Sequence, residues 1–312
     1  MIHIKSAPIS QAAIEQVTGL SREVLRKWEL RYQFPLPIRG ARGQRLYTPE
    51  DVEKLHLIQR LLLSGMRPGK LVPLSLPDLQ ALLASSPLPL VHTPDAAQIE
   101  VAAQALLACL RPGTTPLAVQ ANLEQLIKEN GLAFFVEPYL PAFNLAVGEA
   151  WAAGRLGVHA EHHYTETVRN VVLRALARLH PVHGQPRVLM TTPPGELHGL
   201  GLLALQAALT LQGADCVCLG TQTPALEVVQ AVHDFGVKVV AISASVCLPP
   251  AVTRAYVMEL RQRLPADCGL WVGGQGGATL AADEHAGVAV FHSTHQAVQA
   301  WQQLTRITPK LL

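Results

Sequence analysis

The hydrophobic pattern changes period along the 312-residue chain. In residues 10–28 (SQAAIEQVTGLSREVLRKW) apolar positions recur at helical spacing, with Ala13, Ile14 and Val17 on one face. Thr18 and Gly19 break that face, and Ser21 stands where it can cap a second helix carrying Arg22, Arg26 and Lys27. The helical period returns over residues 96–179 and is interrupted at 111–115, 130–131 and 154–157, which predicts four helices. Pro138 and Pro141 are expected near the start of the third of these, or at a kink in it. From Pro186 onward short β-rich runs alternate with helical stretches such as 198–212 and 225–235. The runs 187–192, 215–219, 238–243, 270–273 and 288–292 are continuously apolar, as strands buried on both faces of a parallel sheet are.

These elements predict a multidomain chain. An α winged helix-turn-helix head is expected over residues 1–75 and a Pro/Ser-rich linker over 76–95. A four-helix bundle follows over 96–182, and a doubly wound, flavodoxin-like or Rossmann-like α/β domain with a parallel sheet over 183–312. No run of 18 uninterrupted apolar residues reads as a membrane helix, and the N-terminus MIHIKSAPIS lacks the apolar core of a signal peptide. The five cysteines are odd in number and scattered; Cys216 and Cys218 are expected as a buried pair of thiols on one face of a strand. A cytoplasmic protein is the expectation.

Charge sharpens the picture of the head. Residues 1–70 hold 12 Lys/Arg against 6 Asp/Glu, and residues 71–312 hold 13 against 17. A basic head on a mildly acidic body points to a polyanion as partner. Two short helices joined by a Gly turn form a helix-turn-helix signal, with the second helix offered to the major groove. Arg39, Arg42 and Arg45, interleaved with Gly40 and Gly43, suit a β-hairpin wing lying along phosphates; Tyr47 adds an aromatic donor and Thr48 opens a further helix. The string Trp28-Glu29, Arg31-Tyr32, Pro35, Arg45-Leu46-Tyr47 resembles the head of MerR-type regulators. The resemblance implies a double-stranded DNA operator as partner, with Arg22, Arg26, Arg42, Arg45 and Tyr47 as contact candidates. In such regulators a long helix after the wing pairs two subunits. Pro73 and Pro77 imply that this helix is absent or short here.

The loop TPPGELHGLG follows the first strand of the α/β region, at the sheet edge where such folds bind ligands. His198 there reads either as an exposed histidine in a turn or as a metal ligand. The third strand ends at Ser243-Ala244-Ser245 and the fourth at Gly273-Gly274, on the same edge, where glycines let a bulky group approach the backbone. Glu196-x-His198-Gly199-x-Gly201, then Ser243, then Gly273-Gly274, resembles the cobalamin-binding domain of mutases, methionine synthases and related regulators. The resemblance makes His198 the lower axial ligand to cobalt, with Glu196 orienting it. Gly199, Gly201, Ser243, Ser245, Gly273 and Gly274 would then border the cofactor. Two features depart from the family pattern: Glu196 stands where Asp is usual, and the gap from Ser243 to the glycine pair is longer.

In the bundle, Trp151 is followed after nine residues by Glu161-His162. This resembles the helical cap of CarH-type regulators, which also share the three-part order of this chain. By that resemblance Trp151, Glu161 and His162 cover the adenosyl group of adenosylcobalamin. The chain is expected to act as a cytoplasmic photoreceptor and repressor, a homotetramer in the dark that light dissociates from DNA. CarH-type proteins carry a histidine directly after the Trp, and here that position is Ala152. His159, His162, His163 or water would have to replace it, or the chain is a light-independent MerR-type regulator sensing cobalamin or another ligand such as haem. The same three histidines also admit a structural zinc reading. An enzyme, a mutase or methyl-transfer subunit, is disfavoured by the head and by the lack of room for a substrate barrel. A DNA-binding protein whose sensor has lost its ligand is the remaining alternative.

Overall fold

The computed structural model describes residues 7–84, 94–177, 179–182, 185–278, 280 and 287–307. In the head, β1 (Ile9–Ser10), β2 (Ile38–Arg39) and β3 (Arg45–Tyr47) form a small antiparallel sheet in the order β1-β3-β2. Helix α1 (Gln11–Thr18) ends at Gly19, whose φ of 70° supplies the left-handed turn. Helix α2 (Arg22–Tyr32) opens on Ser21, whose hydroxyl accepts from the Val24 amide. Helix α3 (Pro49–Leu63) begins with a reciprocal capping box between Thr48 and Asp51, a device that stabilises a helix by about 1 kcal/mol. The short α4 (Pro68–Leu71) follows. Residues 76–84 were expected in the linker, but they form α5 (Leu76–Ala84), whose Leu79 and Leu83 join the head's core beside Leu55 and Ile58. Apolar spacing at 79 and 83 outweighed the flanking prolines. The remaining expected linker, residues 85–93, lies outside the described residues.

The bundle comprises α6 (Ala96–Cys109), α7 (Leu117–Asn130), a composite third helix and α10 (Val158–Leu176). The composite runs through α8 (Leu132–Phe134), a π turn at Phe135–Tyr139 and α9 (Leu140–Ala152). Pro138 sits inside the widened turn, where the missing N–H is accommodated, and Pro141 lies in the first turn of α9.

Five parallel strands, β4 (Arg187–Thr191), β5 (Asp215–Gly220), β6 (Val237–Ser243), β7 (Gly269–Gly273) and β8 (Val288–Val290), are ordered β5-β4-β6-β7-β8. Helices α11 (Leu200–Leu211) and α15 (Thr294–Ile307) cover one face of the sheet; α12 (Ala225–Phe235) and α13 (Pro250–Arg263) cover the other, and the four-residue α14 (Gly274–Gly277) follows β7. The chain reverses its winding between β4 and β6, so the loops after those strands part and leave a crevice for a ligand. The expectation for β5 needs correction. As an edge strand it is only partly covered, and Cys218 is exposed rather than buried. Burial still pushes the Cys216 thiol up to about 12.

Helix α11 is apolar almost all round (LGLLALQAALTL), as a helix packed on several sides must be. Leu203, Ala204, Ala207 and Leu211 complete the bundle core, while Leu202 and Leu209 face the sheet. Burying each such leucine contributes about 1.5–3 kcal/mol.

His56 on α3 is paired with the Val17 carbonyl at 3.2 Å and stacks obliquely on His180 at 5.3 Å between centroids. Burial lowers its pKa from the ordinary 6.5, and the His180 and Arg60 charges add to that; the Val17 bond opposes it. A histidine with a depressed folded-state pKa is stabilising while neutral, and the contribution is lost as pH falls below the unfolded value. Thermal melts of the full chain are therefore expected to weaken from pH 7.5 to pH 5. His56→Gln, which keeps a donor and removes the titration, is expected to flatten that slope.

Candidate cofactor site and nucleic-acid interface

Strand β4 ends at Thr191, and the chain turns through Pro193-Pro194-Gly195 before α11 begins. Helix α11 starts at Leu200 rather than at 198, with Gly199 as its N-cap residue, so His198 stands on the loop. Glu196 is 1% exposed and uses both carboxylate oxygens. Its Oε1 accepts from the His198 amide at 2.9 Å and lies 2.6 Å from His198 Nδ1; its Oε2 accepts from the Ser245 amide at 2.7 Å. Burial raises its pKa, but the His198 and Ser245 amides and side chains outweigh that and hold it below its ordinary value. Glu196 is therefore a carboxylate and can only accept, so Nδ1 carries the hydrogen. In the neutral ring the lone pair is then on Nε2, and the side chain is 62% exposed. A Glu in place of the more usual Asp spans the crevice and ties the β4 loop to the end of β6.

The other residues expected at this edge also converge there. Ser245 Oγ lies 3.3 Å from His198 Nδ1. A Cβ on Gly201 would stand 3.1 Å from Ser243 Oγ, and one on Gly199 would stand 3.4 Å from the Thr221 methyl. Two glycines after β7 also have a use that was not expected. A Cβ on Gly274 would come 2.3 Å from the Ala244 carbonyl oxygen, and one on Gly276 2.1 Å from that of Ser245. They let the β7 loop pack on the end of β6, where the Gly276 amide donates to Ala244 O at 3.0 Å. Gly273 is not crowded in this way; its nearest contact would be 3.6 Å.

Two supporting residues escaped the sequence reading. Thr192 Oγ1 donates to the Glu196 carbonyl at 2.8 Å and accepts from the Gln222 amide at 2.9 Å. Gln222, at φ 63°, returns its side-chain oxygen to the Gly195 amide at 3.3 Å. A Thr after a strand and a Gln in a polar turn carry no sequence signal of such a role.

Trp151 lies at the end of α9 and is 51% exposed. Glu161 Oε1 accepts from Thr165 Oγ1 at 2.8 Å, and Glu161 Oε2 is 3.5 Å from His162 Nε2, on a largely exposed histidine. Among the described residues no hydrogen bond, ion pair or ring contact joins these three to the His198 loop; their helices reach it through α10, which packs on α11. His163 is engaged with the Pro116 carbonyl at 3.0 Å. No group of three or more His, Cys, Asp or Glu among the described residues is arranged to hold a metal, which counts against the zinc reading. Two concavities, of about 490 and 390 Å³, lie in the bundle near Gln98 and Tyr139 and beside α13 near Tyr256, and neither includes His198.

On the head, Arg22 and Arg26 lie one turn apart on the exposed face of α2, opposite the core residues Leu25 and Trp28. Arg42 is exposed in the wing turn, and Arg45 is half-buried, 3.5 Å from Glu29. Tyr47 differs from expectation. Its ring is 2% exposed because strand alternation turns it inward, and it packs in the head's core.

A winged helix-turn-helix joined to a helical bundle and an α/β domain with a histidine at its switch point defines a DNA-binding regulator with a B12-binding module. Residues 9–71 match the MerR HTH family regulatory proteins, and residues 186–301 match the B12 binding domain. The HTH-type transcriptional repressor CarH of Myxococcus xanthus is 30% identical over 301 residues, covering 93% of this chain and 95% of its own. The HTH-type transcriptional repressor CarA of the same organism is 27% identical over 293 residues, with coverage of 93% and 95%. The chain belongs to the CarH family of transcriptional regulators, which are not enzymes. A corrinoid protein for monomethylamine from Methanosarcina barkeri aligns over 73% of this chain and 96% of its own, at 14% identity and a TM-score of 0.42, a likeness too slight to bear on function.

The glycine geometry generates a stability test. Gly274→Ala combines a left-handed φ of 83° with a backbone clash, and is expected to cost about 2 kcal/mol or more. Gly273→Ala is expected to change the thermal midpoint much less. Melting curves of the two variants side by side give the comparison.

Proposed function

We propose that this regulator is a cytoplasmic, light-responsive repressor whose sensor holds adenosylcobalamin, with His198 Nε2 as the lower axial ligand of cobalt. The observation that carries the reading is the Glu196–His198 pair: a buried carboxylate fixes the imidazole tautomer and leaves the outward nitrogen as a donor. An imidazole so backed suits cobalt, and Gly201 lies with bare backbone against Ser243, where a Cβ would stand 3.1 Å from the Ser243 hydroxyl. When bound, the cofactor supplies visible absorption and a cobalt–carbon bond that light breaks.

The chain's own residues do the rest. Trp151 offers a half-exposed aromatic face, and Glu161 and His162 offer polar groups for the adenosyl moiety. Ser245, Gly199, Gly273 and Gly274 border the lower side. Arg22 and Arg26 enter the groove of a double-stranded operator, and Arg42 and Arg45 lie along its backbone. Four heads in a dark tetramer bind multivalently, so dissociation in light weakens DNA binding without altering any base contact.

Ala152 favours a second reading. With a methyl group in the place of the family's histidine, a light-independent regulator sensing cobalamin or another ligand such as haem is the competitor.

The visible spectrum and the mass in solution of the chain loaded with adenosylcobalamin in darkness, before and after green light, separate the two readings. A spectral change with a fall in mass is expected; an unchanged spectrum and mass select the second. His198→Ala is expected to lower cobalamin affinity markedly, and unaltered affinity would overturn the ligand assignment. At the DNA face, Arg42→Ala is expected to reduce the slope of log affinity against log salt by about one, the signature of one lost phosphate contact. Binding titrations at several salt concentrations measure it.

A further inference from the structure

One helix touches every part of the molecule. Helix α11 begins directly after His198-Gly199, runs about 18 Å at 1.5 Å per residue, and packs on α10, α15, the π turn, the sheet and α3 of the head. Its far end meets Arg60. The Arg60 side chain is 4% exposed, yet no carboxylate pairs with it among the described residues. Instead its guanidinium donates to the Thr210 carbonyl, in the last turn of α11, at 2.5 Å, and to the His180 carbonyl. A helix C-terminus is the end that attracts a cation. Burial lowers the Arg60 pKa to about 10, which leaves it charged at neutral pH.

The seat around this contact has a bare backbone position at its centre. Gly213, just past α11, has φ 93°; a Cβ there would meet Val182 at 2.5 Å and Arg60 Nη1 at 3.3 Å. The Val182 amide donates to Gly213 O at 2.8 Å, and the Val182 side chain packs against the head's core. Alongside, Gly65 at the end of α3 and Gly131 at the end of α7 touch backbone to backbone. A Cβ on Gly131 would lie 2.4 Å from the Gly65 nitrogen, and one on Gly65 2.5 Å from the Asn130 carbonyl oxygen. Leu63 packs into the bundle core from the head side. The exposed faces of α2 and the wing are untouched by this docking, so the docked head still presents Arg22, Arg26 and Arg42.

We propose that α11 couples the cofactor loop to the DNA-binding head, and that Arg60 is the positioning residue that holds the head in one orientation on the end of that helix. The proposal rests on the function proposed above. A shift of the His198 loop is passed along this largely buried helix to the carbonyl that Arg60 grips. Head orientation, and with it the spacing of heads across an assembly, then depends on the cofactor. Arg60 touches neither DNA nor cofactor and acts through the two carbonyls.

The test uses the full chain and a DNA duplex selected from a random pool by the wild-type protein. Affinity is measured with adenosylcobalamin in darkness and without cofactor, and the ratio of the two Kd values is the coupling. Arg60→Met is expected to bring that ratio about tenfold or more closer to one while the cobalamin spectrum stays unchanged. Arg60→Lys, which keeps the charge and loses the two-armed geometry, is expected to fall between. Arg22→Ala is expected to weaken both affinities alike and leave the ratio intact, as any loss confined to the DNA face would. Hydrogen exchange at residues 60–66 and 209–213 is expected to quicken in Arg60→Met.

A folded Arg60→Met chain with a wild-type ratio overturns the inference. Should that variant not fold, Arg60→Lys decides in the same way, its ratio unchanged from wild type being the overturning result. A wild-type chain that binds cobalamin but shows no cofactor-dependent ratio also overturns the inference. A wild-type chain that binds no cobalamin instead removes the proposed function, and its spectrum reveals this before any DNA is added.

Discussion

The sensor end of this protein depends on one buried carboxylate. Glu196 sits at the reversal of the sheet's winding, where the loops after β4 and β6 part, and it closes the gap with three donors from two loops. A buried charge is costly unless its oxygens are satisfied. Here the satisfaction comes from the groups whose positions matter, the His198 ring and the Ser245 amide. The same bonds that keep Glu196 ionised fix which nitrogen of His198 faces outward. Electrostatic cost and chemical readiness are thus one arrangement, and the Thr192–Gln222 bonds behind it keep the loop from relaxing.

Around this point the fold is arranged as a relay of apolar surfaces. The sheet supplies the edge, α11 leaves that edge and fills the space between sheet and bundle, and its far end receives the head. Each domain has its own core, yet the Leu63 and Val182 side chains each cross into a neighbour's. The fit is close enough at two places that glycine is the residue that can occupy them.

Much of this was legible in the sequence because it rests on periodicity and turn chemistry. The strands fall within a residue or two of the apolar runs, and Gly19 and Ser21 mark the helix-turn-helix as their conformational preferences require. The convergence of Glu196, His198 and Ser245 could be anticipated because parallel sheets gather their loops at one edge. What escaped depends on three-dimensional neighbours. The edge position of β5 is a matter of strand order, which hydrophobicity does not encode, so Cys218 emerged exposed. Tyr47 turned inward because a three-residue strand alternates. That Gly274 and Gly276 also serve contact between two loops depends on which loops the fold brings together. Arg60 is one basic residue among many in a basic head, and only the fold shows that it is buried.

The paired glycines at 65 and 131 bear on which heads this sensor could carry. Domains joined through a flexible tether can be exchanged freely, since the recipient need supply only a length of chain. A head seated backbone to backbone demands a matching dent in whatever bundle receives it. A foreign operator-reading module grafted onto this sensor would seat in the same way only if it too brought a bare position to the junction.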